Sequence, residues 1–461
     1  MVRFPSIPLH PAVRPAARPG RAFGVHGLVA ALLLVGSGPA AGMSVDAVRF
    51  WSAPDHTRIV VDLSEACSYR HLALDVPPRI VVDVDDATFA FPPDPIAVND
   101  GLVKQVRFGP PTRKGEAGRI VLDLELTARY DVFALEKVGD KPDRLVLDVK
   151  RPAGAAPAPG VPEPPRPRVE RRIGPDAVGD FLIMVDPGHG GEDTGRKNPD
   201  GLKEKHLALD FSKALAAEIN RRPGYRAALT RTGDYFVPLG KRRALAEAAK
   251  AHLFVSVHFN AAPSSQARGT EIFFVSLKGA DDRVTRELED VENSADLVGG
   301  LPPSDQATSE NLARMLVDLR QADTVERSQR LAVSMNDEVA RLRSTHTRPV
   351  KQAGFAVLKQ LFIPAALVEV AFLSNAEDVR FAKSERNRDD FVRALADGIV
   401  TYCEDVEIPR MGWRIHTVAR GESLVQIAQS YSMSVDSLCA ANGLDGGGTV
   451  HPGQRLRVKT H

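Results

Sequence analysis

The sequence predicts an α/β protein whose central sheet, mixed or parallel, is flanked by helices, with a β-sandwich ahead of it and a small βααβ module behind it. Three observations carry that expectation. Apolar strand-like runs alternate with helical periodicity from Asp180 to about Asp405. Before them, β-branched runs bounded by turn residues recur at short spacing. After them, Arg414 to the end reads strand, helix, helix, strand. A chain of 461 residues is too long for a single core, so several domains are expected.

Residues 1–41 have the order of a secretory signal. Arg3, Arg14, Arg18 and Arg21 precede the apolar run Gly27–Val35, and small residues follow at Gly38-Pro39-Ala40-Ala41. The run is shorter than the ~20 residues a bilayer span needs. Export with cleavage near Ala40 or Ala41, leaving no stable membrane span, is the expectation. No adjacent arginine pair supports a twin-arginine route.

Residues 44–151 form the β-rich domain, with strands expected at 57–63, 79–84, 103–108, 119–124 and 144–149. Its first and last strands echo each other as RIVVDLS and RLVLDVK, which leaves a tandem half-repeat open. No nucleophile, metal cluster or phosphate loop stands out, so a binding role suits it better than catalysis. Residues 152–178 are rich in proline and alanine and cannot bury a core, so they read as an extended linker.

In the central domain, 180–405, strands are expected at 181–186, 225–231, 253–258, 271–277, 355–358 and 365–369. Helices are expected at 204–221, 239–251, 323–342 and 388–402. Residues 278–322 do not fit that alternation. They are acidic and amphipathic, the character of a lid or partner surface beside a site. In the terminal module, 413–459, Gly421-Glu422-Ser423 opens a helix with Leu424, Ile427 and Ala428 on one face.

A net charge of +1 with no aromatic-interleaved basic patch argues against a nucleic-acid partner. Cys67, Cys403 and Cys439 lack paired spacing and suit buried thiols, with a Cys403–Cys439 bridge left open.

The chemistry lies in three strand ends. The run Ile183–Asp186 stops at Pro187-Gly188 with His189 at its tip, Leu253–Val257 delivers His258, and Ala365–Val368 delivers Glu369. Carboxyl ends of strands are where ligands sit in open α/β sheets. Either histidine alone would more often be a hydrogen-bonded loop residue. Together with Glu204 at a helix start they make a His₂Glu set, which suits zinc better than the all-oxygen shells of magnesium or calcium. Asp186 and Asp193 are candidates to orient His189. Glu369, inside an apolar run, is either a general base or half of an ion pair with Arg231 or Arg243.

The motifs VDPGHGGEDTG, KEKHLALDFSKALA, LTRTGD, SVHFNA and VEVAFLSN resemble, in order, the zinc-dependent N-acetylmuramoyl-L-alanine amidases of the type-3 amidase family. By that resemblance His189, Glu204 and His258 are the zinc ligands and Glu369 the catalytic glutamate. The implied reaction is hydrolysis of the amide between the lactyl group of N-acetylmuramic acid and L-alanine of the stem peptide, for septal wall splitting and cell separation. Phe259-Asn260 departs from the family's usual Ala-Asp or Ala-Asn. VRFWSAPDHTRIVVDLS resembles an AMIN domain, which targets envelope enzymes to peptidoglycan. Val418, Gly421–Leu424, Ile427-Ala428, Leu438, Asn442–Leu444 and Pro452–Gln454 resemble a LysM module, which binds glycan. In cell-division members a segment like ENSADLVGG plugs the site; Glu292 matches its glutamate, and a LytM-like envelope protein relieves the block. The resemblance implies a periplasmic enzyme on peptidoglycan. The alternatives are a zinc carboxypeptidase or aminopeptidase acting on wall peptides, and a non-catalytic wall-binding scaffold.

Overall fold

The computed structural model describes residues 43–110, 117–152, 181–280, 282–301, 318–359, 361–444 and 449–459, with Gly154 and Ala158. The expected signal 1–41, nearly all of the linker 152–178 and residues 302–317 of the insertion lie outside the described residues. No described helix is long and apolar enough to cross a membrane.

The N-terminal unit runs β1 (Ser44–Ser52), β2 (His56–Leu63), β3 (Tyr69–Asp75), β4 (Pro78–Val84), β5 (Thr88–Phe89), β6 (Ile96–Ala97), β7 (Val103–Gly109), β8 (Gly118–Leu124), β9 (Tyr130–Leu135) and β10 (Asp143–Lys150). These form two five-stranded sheets, in the orders β5-β1-β2-β10-β9 and β3-β4-β8-β7-β6. Their inner faces share one core, with Ile59, Val61, Leu145 and Leu147 from one sheet against Ile80, Val82, Ile120 and Leu122 from the other. The echo between first and last strands extends to all four central strands: 58–63, 79–84, 119–124 and 144–149 each read Arg-apolar-Val-apolar-Asp-apolar. Alternation sends the second, fourth and sixth residues of this pattern inward and its Arg, middle Val and Asp outward. Antiparallel register sets Arg58 opposite Asp148 and Arg144 opposite Asp62 on the first sheet. It sets Arg79 opposite Asp123 and Asp83 opposite Arg119 on the second.

The central sheet is β11 (Phe181–Pro187), β12 (Tyr225–Leu229), β13 (Leu253–Asn260), β14 (Glu271–Val275), β15 (Lys351–Ala353) and β16 (Ala365–Phe372), in the order β12-β11-β13-β16-β14-β15. The first four in that order are parallel and β14 runs antiparallel to β16, so the sheet is mixed. The strand expected at 355–358 is absent there. The edge strand is β15, and Phe355–Leu358 is a turn closed by Leu358 N–H to Phe355 O. Its apolar residues are buried against the sheet rather than paired in it, so hydrophobicity alone misassigned them.

The helices are α1 (Glu204–Asn220), α2 (Leu239–Ala248), α3 (Arg283–Asn293), α4 (Ala295–Val298), α5 (Asp318–Val339), α6 (Ala376–Ala382) and α7 (Glu385–Tyr402). One face of the sheet buries Leu207, Phe211 and Leu215 of α1, Leu331 and Met335 of α5, and Phe391 and Leu395 of α7. The short α6, not foreseen from periodicity, is capped by Asn375, whose side chain accepts from Glu377 N and Asp378 N. A π-turn (Cys403–Glu407) and α8 (Ile408–Arg410) lead to β17 (Trp413–Thr417), α9 (Leu424–Ser430), α10 (Val435–Asn442) and β18 (Arg455–Lys459). Ser423 and Gln426 form a capping box at the start of α9. Cys403 and Cys439 are unpaired and belong to separate cores.

Candidate metal centre

Four of the five predicted site residues converge. Nε2 of His189, Nδ1 of His258 and one carboxylate oxygen each of Glu204 and Glu292 lie within 4.8 Å of one another, and all four residues are buried. His189 Nε2 is 3.0 Å from Glu204 Oε1 and 3.3 Å from Glu292 Oε2; His258 Nδ1 is 3.1 Å from each of those oxygens. A tetrahedral ion with bonds of about 2.0–2.1 Å has ligand–ligand edges of about 3.3 Å. The spacing therefore fits one ion.

Each candidate ligand is set by local chain physics. His189 holds a left-handed backbone (φ 58°), a conformation costing a non-glycine residue roughly 1–3 kcal/mol. Two buried guanidiniums hold the strained turn. Arg231 donates to Pro187 O and Gly188 O, while Arg242 donates to Pro187 O at 2.6 Å and to His189 O at 2.8 Å. Burial and the neighbouring Arg242 pull Arg231 down to about 10, which leaves it protonated at neutral pH. His189 Nδ1 is fixed by Asp193 Oδ2 at 2.7 Å. Asp186 does not share that task. It accepts from Arg242 at 2.9 Å, Ser256 at 2.7 Å and the Thr230 hydroxyl beneath the strand end. Glu204 is the first residue of α1, and backbone N–H groups of Arg196 (2.8 Å) and Phe259 (2.9 Å) orient its carboxylate. At Gly188 a Cβ would fall 2.4 Å from Cε1 of His258, so only glycine lets that ring approach. The Phe259 ring packs on Phe211 in the core, so its departure from the family pattern does not face the site.

Glu369 is the register partner of His258 on the adjacent strand and is 1% exposed. Among the described residues neither of its oxygens has a hydrogen-bond partner. Arg231 is taken up by backbone carbonyls and Arg243 donates to Ala356 O, so the ion pair weighed from the sequence is absent. Burial pushes the Glu369 carboxyl well above the ordinary range. Burial opposes charge on His258, but Glu292 and Glu204 outweigh it and raise the imidazole to about 10. His189 Nε2 and Glu292 Oε2 also lack hydrogen-bond partners. Buried polar atoms are rarely left so. Two unpartnered atoms, His189 Nε2 and Glu292 Oε2, converging with His258 and Glu204 from four elements are what a cation would satisfy, so these residues fit a metal.

The insertion delivers Glu292 from the end of α3, and α3 and α4 are pinned at three residues. Glu289 accepts from Gly354 N at 2.8 Å, and Asn293 bonds both Gly354 O (3.2 Å) and Ala356 N (2.6 Å). Asp296 accepts from Leu239 N at 2.8 Å. These anchors, like Arg242, were not singled out from the sequence, and Arg231 was weighed there only as an ion-pair partner for Glu369. Beside α3 lies a cavity of about 230 Å³ lined by Val284, Leu288 and Val291 of that helix and by Arg196, Glu271 and Lys351.

The profile of N-acetylmuramoyl-L-alanine amidases matches residues 183–401. The AMIN domain profile matches 47–150 and the LysM domain profile 416–459. Amidase AmiC of Neisseria meningitidis is 33% identical over 384 residues, covering 77% of this chain and 89% of that protein. AmiC of Escherichia coli is 31% identical over 397 residues, covering 79% and 91%. AmiA of Salmonella typhimurium is 38% identical over 221 residues, covering 48% and 75%. With the likeness to AmiC running from the β-sandwich through the convergent histidines and glutamates, the chain belongs to the N-acetylmuramoyl-L-alanine amidases.

Proposed function

We propose that His189, Glu204 and His258 hold one catalytic zinc ion, that Glu369 is the general base, and that Glu292 fills the remaining ligand position in the resting enzyme. The observation that carries this is the meeting of four ligand atoms within 4.8 Å beside an unpartnered buried carboxylate. Two imidazoles and a carboxylate suit zinc, and three protein ligands leave one position open. When bound, zinc supplies Lewis acidity toward water and the scissile carbonyl. Glu369, its pKa raised by burial, takes a proton from the attacking water and passes it to the leaving nitrogen as the C–N bond breaks. Asp193 and the backbone donors to Glu204 keep the ligand set oriented throughout.

The substrate is peptidoglycan, cut between the lactyl group of N-acetylmuramic acid and L-alanine so that daughter cells separate. The enzyme works in the periplasm after signal removal, with AMIN and LysM domains holding it on the wall. A LytM-like envelope protein frees the site from Glu292. All four ligand and base residues are present and adjacent, which weighs against a non-catalytic scaffold. Digestion of purified sacculi tests the reading. Intact glycan strands with free stem peptides beginning in L-alanine are expected, whereas shortened stems would replace it with a peptidase. Metal analysis should return one zinc per chain. Chelation should abolish turnover and lower the melting temperature by roughly 5–10 °C, if zinc is present at about 100 times its dissociation constant. An unchanged melting curve and rate after chelation would sink the metal assignment.

A further inference from the structure

The carboxylate of Glu192, three residues beyond His189, is 1% exposed, and the cations around it come from the β-sandwich. Arg49 Nη1 lies at 2.5 Å, Lys141 Nζ at 3.1 Å and Arg144 Nη1 at 3.4 Å. Arg144 reaches further, to Val298 O at 3.0 Å, and Arg58 donates to Gly299 O and, at 3.0 Å, to Gly300 O. Those carbonyls close the segment that carries Glu292, where helix geometry leaves backbone acceptors without partners.

The two sheets of the sandwich provide an internal control. Both carry the same outward Arg–Asp pairs. On the first sheet the side chains of Arg58 and Asp148 are 10% and 5% exposed, and Arg144 is 0% exposed. On the second, Arg79 and Arg119 are 37% and 56% exposed. The difference lies in what covers the face: the first sheet is docked on the catalytic domain. The fit extends to shape. Gly300 has φ 77°, and a Cβ there would lie 2.9 Å from Leu135 and 3.3 Å from the Arg58 guanidinium.

We propose that this outer face of the sandwich is the docking surface for the inhibitory segment, and that Arg58 and Arg144 latch α3–α4 and thereby Glu292 in the site. The AMIN domain then holds the enzyme closed as well as carrying it to the wall. The coupling is reciprocal: a ligand that takes the same sandwich face in competition opens the site, and freeing the segment loosens the sandwich. The functional side of this rests on the reading of Glu292 as the plug.

The test uses the full chain bearing Arg58→Gln and Arg144→Gln together, with Glu292→Ala in parallel. Hydrogen exchange is followed in 285–300 and in the second sheet, alongside sacculus digestion without activator. Hydrogen bonds made by charged groups protect strongly, so exchange in 285–300 should quicken by about tenfold or more, with the second sheet unaffected, and the basal rate should rise. Unchanged exchange in 285–300 with the second sheet intact overturns the latch, even if Glu292→Ala raises the rate. Faster exchange with no rise in rate from either protein leaves the latch standing and removes the plug. If the second sheet also exchanges fast, the sandwich has lost its fold. Arg58→Lys with Arg144→Lys then decides by the same readouts, because lysine keeps charge opposite Asp148 but lacks the fork that holds Asp148 through Nε and Nη2 while Nη1 reaches the carbonyls.

Discussion

Glu369→Gln is expected to keep the fold and the metal while turnover falls by about 10²–10⁴-fold, the range lost with a general base. The carboxyl sits on a strand buried at every position, next to His258 in register, with neither oxygen hydrogen-bonded. An amide of the same shape fills that space without strain. It also removes a carboxyl that burial already disfavours in its charged form, so stability should not fall. What the amide cannot do is accept a proton from water. Stem-peptide release from sacculi, metal content and a thermal melt together make the measurement. Near-wild-type release with full metal would strip Glu369 of this role, and lost metal would show it acting as a ligand instead.

Glu292→Ala should act in the opposite direction, raising turnover in the absence of an activator. Its Oε2 stands 3.1 Å from His258 Nδ1 and 3.3 Å from His189 Nε2, where on the proposed reading it competes for the position substrate needs. Charged contacts of this type are worth roughly 1.5–3 kcal/mol, so the open fraction should grow by about 10–100-fold. The helix itself stays tethered through Glu289, Asn293 and Asp296, so the effect reports the carboxylate rather than unfolding of α3. An unchanged basal rate, with full metal and fold, would count decisively against the plug.

The candidate cluster was legible because carboxyl ends of strands in an α/β sheet are where ligands sit: His189 and His258 each follow an apolar run, and Glu369 lies within one on the adjacent strand. Glu292 was legible only through family resemblance, since an exposed-looking acidic helix carries no signal that one of its carboxylates turns inward. What stayed hidden were residues whose role is decided by another segment. Arg231 and Arg242 looked like ordinary cations, yet they bond carbonyls more than forty positions away. Asp186, so close to His189 in sequence, points beneath the strand instead. Glu192 shows no purpose until the sandwich is placed over it. Edge strands such as β3 and β9 were missed because exposure on their outer faces dilutes the apolar alternation. Phe355–Leu358 was misread because burial without pairing looks the same in a sequence as burial with it.

The turn under His189 bears on how rigid the proposed metal site is. With three successive carbonyls gripped by two guanidiniums, the left-handed backbone at His189 is held by the protein's own hydrogen bonds. On the proposed zinc reading, a turn fixed in this way would present its imidazole without relying on the ion to shape the backbone.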